Sequence, residues 1–215
     1  FAQANLAKYK APKTIFAMTD YPRTKNGKVL RKQLVKQLHE KYHAIETGTK
    51  IVEYKARRSM LFVPPYNKHN VEKAKTVLAD SVIFDLEAIL QEQREVGRQT
   101  IKEVYKDSGS KFGESERVLR INNLGTEDLK KDLELAREIE IDGLLFSKIQ
   151  TKEDVLEAVK LIEEINPNLT LMIMIETPLS VLNIHEICAA SPKVEVVVVG
   201  SNKLANRLQI DIKKG

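Results

Sequence analysis

The sequence has one cysteine, Cys188, which excludes an internal disulfide and any metal site built on paired thiolates. A reducing compartment, cytoplasm or organelle matrix, is the expectation. No apolar run reaches the ~20 residues that a membrane-spanning helix needs, so no membrane partner is expected. Phe1, Ala2 and Gln3 are not the basic and then apolar start of a secretory leader. Phe1 is also not an initiator methionine, so the expectation is a non-secreted piece of a longer polypeptide. The glycine-rich loops of nucleotide sites, GxGxxG and the P-loop, are missing. His39, His43, His69 and His185 are scattered without a partner at metal-ligand spacing, which leaves them ordinary surface or helix-face roles.

What is present is 215 residues, 42% hydrophobic and 30% charged, enough for one sizeable core or two modest ones and too apolar for a disordered polymer. The formal charge of +5 is uneven. Residues 1–57 carry 13 Lys and Arg against 4 Asp and Glu, whereas residues 58–215 carry 22 against 26. The basic part lacks the aromatic interleaving of single-strand binders and any groove-reading motif, so nucleic acid is not an expected partner.

Two regions differ in pattern. Residues 14–18 are apolar, Asp20-Tyr21-Pro22 and Asn26-Gly27 are turn-forming, and 28–42 places Val29, Leu30, Leu34, Val35 and Leu38 at helical spacing. This predicts a short α+β extension over 1–43, followed by a linker over 44–57. From residue 58, β-branched runs alternate with longer helical ones, the pattern of βαβ units. Strands are expected at 59–63, 81–86, 117–121, 143–147, 170–175 and 194–199, with helices near 69–79, 92–107, 126–140, 151–165 and 178–190. An open doubly wound sheet and a (β/α)₈ barrel both satisfy this spacing. Met172 and Met174 alternate within a strand and predict core packing, and Cys188, beside Ile184 and Ile187, predicts a buried thiol.

In the first region YPRTKNGKVLRKQL sets Lys28 directly after a glycine turn, where a flexible ammonium can reach a phosphate or carboxylate oxygen. Tyr9-Lys10-Ala11-Pro12-Lys13 and the run from Pro22 to Arg31 resemble the C-terminal lid of acyl-CoA synthetases and related adenylate-forming enzymes. The resemblance gives Lys28 the role of stabilising the acyl-adenylate transition state. The large adenylation domain that supplies the ATP pocket is not in this sequence, so no ligase activity is expected.

In the second region polar residues recur at the C-terminal ends of the expected strands, where parallel α/β folds place their chemistry: Asp85 and Glu87, Arg120 and Asn122, Lys148, Glu176, and Asn202-Lys203. A carboxylate such as Glu176 can hold Mg²⁺ through oxygen, and Arg120 can grip a carboxylate with its forked donors. The same side chains can equally form a satisfied ion network across a barrel mouth.

RRSMLFVPPYNKHNVEKA, SVIFDLEAILQEQREVGRQTI, VLRINNLGTEDL, GLLFSKIQTKEDV, LMIMIETPLSVLNIHEI and VVVVGSNKLANRLQI occur in that order. Together they resemble the successive barrel strands of the citrate lyase β-subunit (HpcH/HpaI aldolase) family. The resemblance implies an α/β fold, the first six units of an incomplete (β/α)₈ TIM barrel truncated after residue 215. It also implies a carbon–carbon lyase of organic acid metabolism that uses Mg²⁺ and a CoA or acyl-carrier thioester, and it leaves a homo-oligomer open. Arg120 would then bind the substrate carboxylate, Glu176 would ligate the metal, and Arg58, Asp85 and Lys148 would line the pocket. Two positions depart from the family pattern: Asp85-Leu86-Glu87 is followed by Ala88 rather than Asp, and Gly200-Ser201-Asn202-Lys203-Leu204 carries Lys203 at the second metal-ligand position. A Lys203–Glu176 ion pair in the metal's place is the expectation. The alternatives are a catalytically impaired gene-fusion fragment or interaction module, and a ligase lid acting with a separate adenylation domain.

Overall fold

A computed structural model describes residues 22–24, 27, 29–38, 55, 57–108 and 112–211. The chain divides into two compact units, Phe1–Lys55 and Ala56–Gly215. In the first, Arg23 and Val29 form an antiparallel bridge. The Thr24 carbonyl accepts from the Gly27 N–H at 2.9 Å, and Gly27 has φ +79°, a left-handed conformation that glycine adopts without a Cβ clash. Helix α1 follows at Arg31–Leu38. Lys28 and most of the expected linker lie outside the described residues.

In the second unit six strands run β1 Met60–Val63, β2 Ser81–Asp85, β3 Glu116–Ile121, β4 Gly143–Phe146, β5 Thr170–Ile175 and β6 Val194–Val199. Between and after them lie α2 Lys68–Lys73, α3 Gln91–Ser108, α4 Glu127–Glu138, α5 Lys152–Ile165, α6 Pro178–Leu182, α7 Ile184–Ala189 and α8 Ser201–Leu208. All strand pairs are parallel and the sheet order is the sequence order, β1 to β6. A doubly wound sheet reverses its order at a switch point, so sequential order selects the curled half-barrel of the TIM type.

Strand side chains alternate between the two faces. Ile83, Val118, Leu145, Met172 and Met174 form one buried cluster on the inner face. Val82, Phe84, Leu119, Leu144, Phe146, Leu171 and Ile173 point the other way and join Ile101, Val104, Leu133, Val155, Ala158 and Ile162 from the helices. Each fully buried Val, Leu, Ile, Phe or Met among them contributes about 1.5–3 kcal/mol. Three of the helices, α4, α5 and α6, start where short polar side chains close the free N–H groups. Thr126 accepts from Leu129 N, and Thr151 with Asp154 and Thr177 with Ser180 form capping boxes.

The helical expectations shift in two places. The helix near 69–79 is shorter: α2 tightens into a 3₁₀ turn at Ala74–Thr76, where the Thr76 hydroxyl donates to the Lys73 carbonyl at 2.9 Å and Val77 turns extended. The helix near 178–190 splits at Asn183, whose side chain donates to the Gln150 carbonyl at 2.9 Å. Cys188 is exposed, contrary to the expectation, because α7 turns only Ile187 into the core.

Candidate functional site

Asp85, Arg120, Ser147 and Glu176 end or follow β2, β3, β4 and β5 with the same alternation parity as the inner-face apolar residues, so all four side chains converge at the C-terminal mouth of the sheet. Arg120 is the centre. Its Nε donates to Ser147 Oγ at 2.8 Å, Nη1 to Asp85 Oδ2 at 2.8 Å, and Nη2 lies 2.8 Å from Glu87 Oε2 and 3.5 Å from Glu176 Oε2. The Phe62 ring lies 6.0 Å from its Cζ. The guanidinium is buried and largely committed to protein acceptors, so the structure realises the ion network rather than an open carboxylate clamp.

Lys203, in the first turn of α8, places Nζ 2.7 Å from Glu87 Oε2 and 3.4 Å from Glu176 Oε2. The expected partner, Glu176, is therefore the longer contact, and the hub is Glu87, which the sequence placed at the end of the second strand but to which no role was assigned. Lys148 Nζ adds a third cation, 3.7 Å from Glu87 Oε1. Lys148 sits at φ 55°, a left-handed backbone rare for a residue with a side chain. Burial pushes the Glu87 carboxyl up, but the Lys203 hydrogen bond and the charges of Arg120, Lys203 and Lys148 outweigh it and hold the group below its ordinary value.

Glu176 is fully buried, and its Oε1 has no hydrogen-bond partner. Gly200 closes over it: a Cβ there would come within 2.9 Å of Glu176 Cβ, so a side chain at 200 would force the start of α8 outward.

The donor set can be tested against a divalent cation. Mg²⁺ takes near-octahedral oxygen coordination, usually through one or two carboxylates and several waters. Asp85 Oδ1 accepts the N–H groups of Glu87 and Ala88, and its Oδ2 serves Arg120. Both Glu87 oxygens face cations, and Glu176 Oε2 faces two of them. Only the sealed Glu176 Oε1 is left, and among the described residues no three His, Cys, Asp or Glu group to hold a metal. An ammonium is a donor only and repels a metal ion. The residues as placed do not fit a divalent metal.

Arg58 is not part of this cluster. It precedes β1, so it lies at the N-terminal edge of the sheet, where its guanidinium pairs with Asp80 at 3.0 Å and its side chain is 83% exposed. Asp80 also accepts the backbone N–H groups of Arg58 and Ser59. Arg57–Glu116 and Arg117–Asp142 pin the same edge. Asn122 turns to α4, donating through backbone and side chain to Asp132 Oδ2 at 2.8 Å each. Asn202 is exposed. Buried Asp132 in turn accepts from Arg98 at 2.8 Å, and Arg98 and Arg94 both reach Asp128. The spacing of Arg94 to Arg98 and of Asp128 to Asp132, one helical turn each, was the available signal for this α3–α4 network.

The HpcH/HpaI aldolase/citrate lyase family model matches residues 58–215. Among curated relatives, a (3S)-malyl-CoA thioesterase of Cereibacter sphaeroides is 36% identical over 152 residues, covering 70% of this chain and 51% of its own. The citrate lyase subunit beta of Leuconostoc mesenteroides is 32% identical over 145 residues, covering 64% and 47%. The chain thus spans about half the length of the curated relatives it matches. Among solved structures, the citrate lyase beta subunit of M. tuberculosis with oxaloacetate and magnesium superposes with TM-score 0.58 at 25% identity, covering 73% of this chain and 63% of that one.

Proposed function

The chain belongs to the HpcH/HpaI aldolase/citrate lyase family, and from that premise we propose that it is part of a citrate lyase β-type enzyme for a CoA- or carrier-linked hydroxy acid whose metal-dependent cleavage step is lost. The names of the relatives support the substrate class, since one acts on malyl-CoA and another is a citrate lyase subunit. The observation that carries the loss is the Lys203 ammonium, 2.7 Å from Glu87 and 3.4 Å from Glu176. In this reading Arg120 and Asp85 fix the charge at the base of the mouth, Lys148 stands at its rim, and Glu176 is a carboxylate that has exchanged a metal for protein cations. Mg²⁺, which accompanies the M. tuberculosis relative, would supply Lewis-acid polarisation of a carbonyl only if the cation at 203 were removed.

The test is Lys203→Asp, assayed with malyl-CoA and citramalyl-CoA with and without Mg²⁺. The parent chain is expected to be silent and the variant to gain Mg²⁺-dependent cleavage. A silent variant that remains folded sinks the lyase reading in favour of a non-catalytic barrel segment or interaction module. The ligase-lid resemblance of residues 1–43 belongs to the same proposal, with Lys28 at the position of the lysine that stabilises the acyl-adenylate transition state.

A further inference from the structure

Lys203 has three N–H donors and no acceptor. Glu87 and Glu176 take two directions, and the side chain is still 43% exposed, so one donor direction faces solvent at the mouth. Lys148 approaches the other oxygen of the same Glu87 carboxylate and is 36% exposed. A left-handed backbone is disfavoured for a residue that carries a Cβ, and here Lys148 adopts it with its ammonium beside the Lys203 site. Strained positions of this kind concentrate where a ligand is handled. The two half-exposed ammonium groups thus share one buried carboxylate as counter-ion and keep unspent donors. Behind them Arg120, also cationic, is sealed by four protein partners.

From this geometry we infer that the mouth binds the carboxylate of a small oxo or hydroxy acid without any divalent metal, through the free N–H groups of Lys203 and Lys148, with Lys203 serving as a cation tethered to the chain. The inference rests on the reading that the mouth handles acyl acids, and it changes what that mouth requires. A bound metal dissociates and depends on its concentration, whereas a tethered ammonium is always present and cannot be removed by a chelator. The carboxylate can come from a free acid or from the acyl end of a thioester, and both present the same oxygens.

Calorimetric titration of the intact chain with oxaloacetate, in EDTA and in Mg²⁺, tests this, with malyl-CoA and CoA alone as separate arms. Oxaloacetate is expected to bind equally in both buffers. Malyl-CoA binding tighter than both CoA and oxaloacetate would identify the thioester as the source, and oxaloacetate binding at least as tightly would identify the free acid. Lys203→Met should weaken binding about tenfold or more, the loss of one charge-assisted hydrogen bond, and Lys148→Met should weaken it as well. Lys203→Arg, which keeps the charge, should retain chelator-insensitive binding and guards against misreading a folding defect. Binding that appears only with Mg²⁺, a folded Lys203→Met that binds like the parent, or no binding by the folded parent would each overturn the inference. The two proposals fail separately: a silent Lys203→Asp beside a chelator-insensitive parent removes the lyase reading and leaves this one.

Discussion

At the scale of single residues, position relative to the strand ends decides what a charge does. Arg58, just before β1, and Arg120, near the end of β3, are the same residue type, yet one is exposed at the N-terminal edge and the other is buried at the mouth. Asp80, the partner of Arg58, is held at a pKa of about 2, chiefly by the Arg58 hydrogen bond, which prevails over burial with help from two backbone N–H groups. A depressed carboxylate contributes stability that is complete above its unfolded value of about 3.9 and is lost as pH falls through the folded value. Asp80→Asn should therefore flatten the fall of the urea midpoint between about pH 4 and pH 2; an unchanged slope would remove Asp80 from the acid response. Tyr105 offers a second residue-level test. Its ring packs against Phe84 and Phe112, burial pushes its phenol well above the ordinary value, and its hydroxyl has no partner. Deleting an unsatisfied buried hydroxyl relieves a cost of about 1–3 kcal/mol, so Tyr105→Phe should leave the thermal midpoint level or raise it. A clear drop would show that the hydroxyl is bonded.

At the scale of elements, α3 and α4 are joined by Arg98, which bridges Asp128 and Asp132, while Asp132 in turn holds Asn122 just past the end of β3. The network thus anchors the segment immediately after Arg120 and Ile121. Burial pushes the Asp132 carboxyl up, against the pull of Asn122 and Arg98. Removing the cation would leave a buried carboxylate short of its charge partner, a loss that costs about 3–5 kcal/mol. Arg98→Met should destabilise the chain by that order in urea titration, and adding Asp132→Asn should recover part of it. A single-variant loss within a few tenths of a kcal/mol would mean that the helices are joined by apolar packing alone.

At the scale of the whole barrel unit, β1 and β6 are the two edges of the described sheet. The outer face of β6 is uncovered, with Val199 59% exposed and Val197 beside it. Edge strands with apolar faces pair with other chains unless charge or covering segments prevent it. The chain of 215 residues is expected to self-associate with rising concentration in sedimentation runs, and Val199→Lys to reduce that association. A monomer at every concentration would show that the edge is protected.

The sequence by itself determined the six strands to within a residue or two at their ends, because β-branched runs and polar punctuation are local signals that survive folding. It also placed Asp85, Arg120, Lys148, Glu176 and Lys203 after successive strands, and showed that position 203 carries an ammonium. The choice between a barrel and a doubly wound sheet was not local, since βαβ spacing is the same in both, and only strand pairing decided it. Partner identity was equally out of reach. Glu87 and Lys203 are 116 residues apart, and only the curl of the sheet brings them to 2.7 Å, making Glu87 rather than Glu176 the nearer counter-ion. Whether a charge is a ligand, a clamp or a tethered counter-ion depends on distances of a few ångströms between strands, and the order of residues along one strand does not encode them.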